Sequence, residues 1–248
     1  MDYVEPAKSD YIQSILRQTA IIIPWSGEPS RVPGFRYVTK WYANKFPGVT
    51  FYIENSNHRP FNISASRNIA TNRAIKDGKN VIYHADADSV VTEENFIESI
   101  IYAHESDSIC YPYDTRIHCQ MSDIDLVFSS DFKRHIVQYR KGTHIFSYQG
   151  RKFKSQNSHV RPALEEYGVD LPCAAPFAMS VAFSKRVGDH DEKFEGYGAE
   201  DIDYYIKIRR NVDGQPKKLE GIAVSIEHHR NKTNEDVNYS YLLDKLLP

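Results

Sequence analysis

KNVIYHADADSV, residues 79–90, is the stretch on which the fold turns. Val81, Ile82 and Tyr83 form a short β-branched and aromatic run, the pattern of a buried strand. Where that run stops, Asp86 and Asp88 stand one residue apart. Two like charges at the end of a buried strand repel each other unless a cation lies between them. Mg2+ and Mn2+ take oxygen ligands and often share them with the phosphates of a substrate. An isolated Asp-x-Asp is more often a solvated turn, so its meaning depends on what surrounds it.

The surroundings alternate strand and helix. TAIIIPW (19–25) and VTFYIEN (49–55) are apolar runs of strand length. SASRNIATNRAIKDG (64–78) reads as a helix with Ser64 as N-cap, an apolar face of Ile69, Ala70 and Ala74, and Gly78 as its stop. TEENFIESIIYAHES (92–106) is a second helix, with acids in its first turn. This alternation predicts an α/β fold with a mixed, mostly parallel central sheet flanked by helices. Ligands of such folds bind outside the carboxyl ends of the strands. Pro24, Trp25, Glu54, Asp86 and Asp88 all fall at such ends.

Composition narrows the class. The 248 residues are 41% hydrophobic and 26% charged, which predicts one soluble domain with a sizeable core. A net charge of −2 selects no partner. Cys110, Cys119 and Cys173 form no C-x-x-C pair, which argues against a disulfide framework or a cysteine zinc site and fits a reducing compartment. No signal-peptide pattern opens the sequence, and no apolar run approaches the ~20 residues that span a bilayer. The expectation is a cytoplasmic protein without a membrane anchor.

Charge is distributed unevenly along the chain. From Phe132 to Leu164 there is no acidic residue, while Lys133, Arg134, Arg140, Lys141, Arg151, Lys152, Lys154 and Arg161 alternate with aromatics. Loops or a hairpin over the mouth of the sheet are expected there. APFAMSVAFSK (175–185) reads as a strand. FEGYGAEDIDYYIKIRR (194–210) is a glycine-rich turn entering a helix, with Ile202, Tyr205, Ile206 and Arg209 on one face. Glu200 and Asp201 at its start either compensate the helix dipole or offer a general base. GIAVSIEHHR (221–230) closes the set as a strand, and its alternation lets at most one of His228 and His229 face a site.

In this order, a strand-end D-x-D, a G-x-G-x-E-D helix start and a late histidine resemble the GT-A glycosyltransferases. More narrowly they resemble the β-1,4-galactosyltransferase family, with polypeptide N-acetylgalactosaminyltransferases as more distant relatives. AIIIPW is similar to that family's IIIPFR, SASRNIATNRA to its FNRA region, FEGYGAEDID to YWGWGGEDDD and HHRNKTNED to HSRDKKNEP. The resemblance runs from about Ala20 to Asn238 and implies a single GT-A, Rossmann-like domain. Residues 19–110 would be the nucleotide-sugar half, 111–170 a basic acceptor-side insertion, and 171–248 the catalytic and acceptor half.

The roles implied are these. Asp88 and His228 would ligate Mn2+ or Mg2+, with Asp86 near the metal or the ribose. Pro24, Trp25, Glu54, Arg67, Asn68 and Gly198 would lie around a UDP-sugar donor. Asp201 would deprotonate the acceptor hydroxyl, inverting the anomeric centre, and Glu200 would hold the sugar or acceptor. Where the family has a thioether ligand, this chain has Ser225; where it has tryptophans, this chain has Glu195 and Tyr197. The sugar therefore does not carry over. Tyr197, Arg151, Lys152 and Lys154 are candidates for contact with the acceptor. Bases mixed with aromatics fit phosphates and unpaired nucleobases, so a hydroxymethylated base in DNA is one acceptor reading. A glycan or protein acceptor is another. A sugar-nucleotide nucleotidyltransferase or a non-catalytic binding module are readings from other classes, although PWSGEPSR (24–31) is a poor phosphate loop.

Overall fold

The computed structural model describes residues 6–139, 143–156, 174–228 and 233–246. Helix α1 (Pro6–Gln18) leads into β1 (Thr19–Pro24), every residue of which is buried. β1 pairs in parallel with β2 (Thr50–Glu54) on one side and β3 (Val81–His84) on the other. Helices α2 (Val32–Lys45), α3 (Ile63–Lys76) and α4 (Glu93–Ser106) alternate with these strands. An unbroken Ile21-Ile22-Ile23 run suits a strand covered on both faces.

The sheet is mixed and mostly parallel, as expected, with one antiparallel strand inside it. β9 (Phe177–Ser180) lies between β3 and β5 (Ile109–Tyr111), antiparallel to both. β10 (Lys217–Lys218) completes the order β10-β5-β9-β3-β1-β2. A short apolar run carries no mark of its direction, so which strand runs antiparallel was not legible in the sequence. The run at 175–185 is also shorter as a strand than expected. Ser180 Oγ accepts from the Phe183 N–H at 2.9 Å and caps helix α7 (Val181–Val187).

Five further strands make a second sheet, in the order β4-β11-β6-β8-β7. They are β4 (Ser89–Val91), β6 (Thr115–Cys119), β7 (Thr143–Tyr148), β8 (Arg151–Gln156) and β11 (Ile222–Ile226). β7 and β8 form the hairpin expected of the acid-free stretch, turning through Gln149 and Gly150, both at positive φ. Short helices α5 (Ile124–Phe128) and α6 (Ser130–His135) precede it. The inner face of the hairpin, with Phe146 and Phe153, packs on Phe132 of α6.

Two helix details differ from expectation. The cap of α3 is Asn62, whose Oδ1 accepts from the Ala65 N–H at 2.8 Å, and Ser64 is buried in the first turn. Ile69 is 41% exposed, while Arg67, Asn68, Ala70 and Ala74 turn inward, because α3 lines a polar site. Helix α8 (Glu200–Arg209) buries Asp203, Tyr204, Tyr205, Ile206 and Ile208, more than one face, and α9 (Glu235–Leu246) follows β11. Among the described residues no helix is long and apolar enough to cross a membrane. Cys110 and Cys119 are buried and free. Cys173, His229, Arg140, Lys141 and Arg161 lie outside the described residues.

Candidate active site

The Asp-x-Asp is the point where the chain leaves one sheet for the other. β3 ends at His84 in the six-stranded sheet and β4 begins at Ser89 in the five-stranded one. Backbone pairing fixes this crossing: Ala85 N–H donates to Ile22 O at 2.9 Å and Ile226 N–H to Asp88 O at 2.8 Å. The second bond brings the end of β11 beside Asp88, and His228 follows two residues later. His228 Nε2 lies 2.5 Å from Asp88 Oδ2, and Arg31 Nη2 lies 3.2 Å from the same oxygen.

Arginines hold the other carboxylates. Arg67, on α3, donates from Nη2 to Asp86 Oδ1 at 3.0 Å and from Nη1 to Asp201 Oδ1 at 2.6 Å. Its side chain is only 2% exposed. The guanidinium of Arg116, on β6, donates to Ser225 Oγ at 2.9 Å and Tyr113 Oη at 2.7 Å, and lies 3.9 Å from Asp86 Oδ2. Arg31 and Arg116 were not anticipated. For Arg116 the one local signal is a cation in a strand that otherwise reads as buried; Arg31 carries none.

Burial and charge set the protonation states. Burial alone would raise the Asp88 carboxyl, but the His228 hydrogen bond and the nearby Arg31 hold it well below the usual carboxylate range. Burial raises Asp86, against the pull of Arg67. Burial, then the neighbouring Asp201, push Glu200 up to about 8. Behind Arg67, His84 and His190 are kept neutral by burial and by the guanidinium.

The donor set has the chemistry of a hard-cation site with few protein ligands. Asp88 and His228 supply one oxygen and one nitrogen at a single point, a pairing that suits Mn2+. Ser225, at the position of the expected thioether, is engaged by Arg116 and lies 3.2 Å from Ser89 Oγ. Among the described residues no group of three His, Cys, Asp or Glu is arranged to hold a metal. These residues fit a cation that completes its shell with phosphate oxygens and water, as Mg2+ and Mn2+ commonly do.

The glycine turn forms the opposite wall. Gly196 has φ +82°, and a Cβ there would come within 2.5 Å of Thr233 O. Its N–H donates to Phe61 O at 3.1 Å, and Tyr197 N–H donates to Thr233 O at 2.9 Å. Asn238, buried on α9, donates to the carbonyls of Glu195 at 2.9 Å and Tyr197 at 3.0 Å. The turn is thereby clamped between the loop before α3 and α9, and it delivers Glu200 and Asp201 to the cleft.

The cleft has a volume of about 1250 Å³. Arg67, Asp86, Asp88, Glu200, Asp201 and His228 all line it, with Tyr197 and Gly198 beside them. Four donor-side candidates do not. Trp25 stacks on Phe35 with ring centroids 4.2 Å apart, next to Pro24 at the end of β1. Glu54 pairs with Arg73, and Asn68 binds the backbone of His190 and the carboxylate of Glu192. The basic candidates divide between two faces of β8. Lys154 lines the cleft and Lys152 is exposed on the same face. Arg151 lies on the other face, paired with Asp123.

Compared with known proteins, the chain matches no family model and no curated protein. Among solved structures it is similar to a crystal structure of GalNAc-T7 with UDP, GalNAc and Mn2+, at 11% identity and a TM-score of 0.49. The similarity covers 91% of this chain and 47% of that one, so the chain spans about half the length of the protein it resembles.

Proposed function

We propose that the chain is a metal-dependent GT-A glycosyltransferase, moving a sugar from a UDP-sugar to an acceptor hydroxyl. The observation that carries this reading is the convergence in one cleft of Asp88 with His228 and of Asp86 with Asp201 through Arg67. A solvated turn needs no such constellation, and neither does a binding module. Motifs resembling the β-1,4-galactosyltransferase family support the narrower assignment.

In this reading residues 19–110 supply Arg67, Asp86 and Asp88 to the donor. Residues 171–248 supply Glu200, Asp201 and His228, and residues 111–170 supply Lys154 to the acceptor side. A divalent cation bound at Asp88 and His228 would neutralise the donor diphosphate as it leaves. Arg31 and Arg116 add fixed positive charge on the same side of the cleft. Asp201 accepts the proton of the attacking hydroxyl, and single displacement inverts the anomeric carbon. Arg67 orients Asp201 toward the cleft and pairs with Asp86 beside it. One feature favours Glu200 as the base instead: burial and the neighbouring Asp201 push its carboxyl up to about 8, close to the range in which a general base works best. In that case Asp201 serves to hold the acceptor. The acceptor we favour is a hydroxymethylated base of DNA, supported by the acid-free basic stretch.

The test is UDP release from a panel of UDP-sugars with Mn2+, Mg2+ or chelator, without acceptor. Metal-dependent release from one sugar is expected. No release and no UDP binding would sink the assignment, and incorporation of a nucleotide instead would favour a nucleotidyltransferase. The anomeric configuration of the product, read by NMR, checks inversion.

A further inference from the structure

The outer face of the β7–β8 hairpin is open where its inner face is packed. Side chains alternate along β7, with Thr143, Ile145 and Ser147 exposed and Phe146 buried. On β8, Lys152 and Lys154 share the outer face with Gln156, while Phe153 and Ser155 are buried. Cross-strand register sets Ile145 beside Lys154 and Ser147 beside Lys152. Ile145 is 78% exposed, the most exposed large hydrophobic side chain among the described residues. Ile145 and the two lysines thus lie side by side on one open strip of the sheet face.

This face is continuous with the cleft. One lateral row of the second sheet runs Ser89, Ser225, His118, Lys154, each paired in register with the next. At ~4.8 Å per strand, Lys154 lies about 14 Å from Ser89, the neighbour of Asp88. Lys154 therefore lines the cleft three strands away from the strand that follows Asp88. Lys152 follows about 7 Å along the same strand, beyond the cleft lining. Neither lysine has an ion-pair partner among the described residues, whereas Arg151 on the packed face is neutralised by Asp123. The cleft itself, at about 1250 Å³, is larger than the ~300–1,000 Å³ of a typical single-ligand pocket.

We infer that this hairpin face is the landing surface for the phosphodiester backbone of a nucleic-acid acceptor, with the target nucleotide extruded into the cleft. The inference rests on the glycosyltransferase reading and names its acceptor surface. Lys154 and Lys152 take successive phosphates, and Ile145 contacts the sugar or base between them. A target hydroxyl inside a stacked helix could not reach Asp201, so extrusion or a single strand is required.

The test measures binding of a short fluorescent single-stranded oligonucleotide by anisotropy across a salt series, and needs no catalysis. The Lys152→Gln/Lys154→Gln double variant should lose about tenfold in affinity at low salt. Its log–log salt slope should be shallower by about 1.4, that is two contacts at ~0.7 each. Ile145→Asp should also weaken binding, while Lys185→Gln, an exposed lysine on α7, should not. These are surface positions, and thermal melts check that each variant is folded. Unaltered oligonucleotide binding in the double variant would overturn the inference. So would binding of heparin but not of the oligonucleotide, which would point to an anionic glycan, and so would loss of UDP binding in the double variant, which would return the lysines to the donor. Absence of UDP release from the wild type would remove the glycosyltransferase reading instead, leaving oligonucleotide binding to judge this surface.

Discussion

At the scale of single residues, Glu200 makes stability depend on pH in a definite direction. Its folded value of about 8 lies above the ordinary value of 4.5. Between those limits the folded state binds the proton more tightly than the unfolded chain does. Its contribution to stability is therefore fullest below pH 4.5 and is lost as pH rises toward 8. Glu200→Gln should flatten the stability–pH curve over this window and melt higher than the wild type at pH 8, as chemical denaturation at several pH values would reveal. The same substitution decides the base. If Glu200 is the base, Glu200→Gln abolishes transfer; if Asp201 is, Asp201→Asn does, and Glu200→Gln chiefly raises the acceptor KM. A second expectation concerns the paired donors. His228→Ala should weaken Mn2+-dependent UDP binding on the order of a hundredfold while UDP binding without metal changes little, read by calorimetry. Asp86, Asp88, Glu200, Asp201 and His228 were all legible as polar groups at strand ends and a helix start. Arg31 and Arg116 were not, because neither stands at a strand end or a helix start that the sequence marks; Arg31 meets Asp88 and Arg116 meets Ser225 and Tyr113 only in the fold.

At the scale of elements, the glycine turn depends on α9 as much as on its own residues. Gly196→Ala should destabilise the fold by about 1–2 kcal/mol through the left-handed backbone alone. The clash with the Thr233 carbonyl adds to this, since backbone cannot rotate away as a side chain would. Asn238→Ala leaves the carbonyls of Glu195 and Tyr197 without their donor and should cost about 1–3 kcal/mol. It should also lower kcat more than it raises the donor KM, because the turn delivers Glu200 and Asp201; steady-state kinetics with varied donor would separate these effects. The turn's glycines were visible in the sequence. Their clamp was not, since Asn238 lies 43 residues beyond Glu195 and its neighbours on the helix give no sign of what it binds. Ser180 is the converse case: a serine inside an apolar run ends the strand and caps α7, a local signal outweighed by the apolar residues around it.

At the scale of the whole molecule, the cleft exists because two sheets part at the Asp-x-Asp. β3 stays in the first and β4 joins the second, so a ligand held there bridges both. UDP with Mn2+ should raise the melting temperature more than the sum of the two added singly, by mass action on a site absent from the unfolded chain. Differential scanning fluorimetry measures this directly, and chelator should reverse it. Additive shifts would mean separate sites and would count against a shared donor–metal centre.

What the sequence determined by itself is local: buried runs end in acids, glycines precede a carboxylate pair, and bases gather in one acid-free stretch. Each follows from neighbours a few residues apart, where periodicity and backbone preference act. Only the tertiary structure decided that β9 runs antiparallel, that Arg67 bridges Asp86 to Asp201, and that Arg151 and Lys154 face opposite ways. Hydrogen-bonded register and ion pairing join residues far apart in the chain, and no local pattern encodes which distant partner a buried charge will meet.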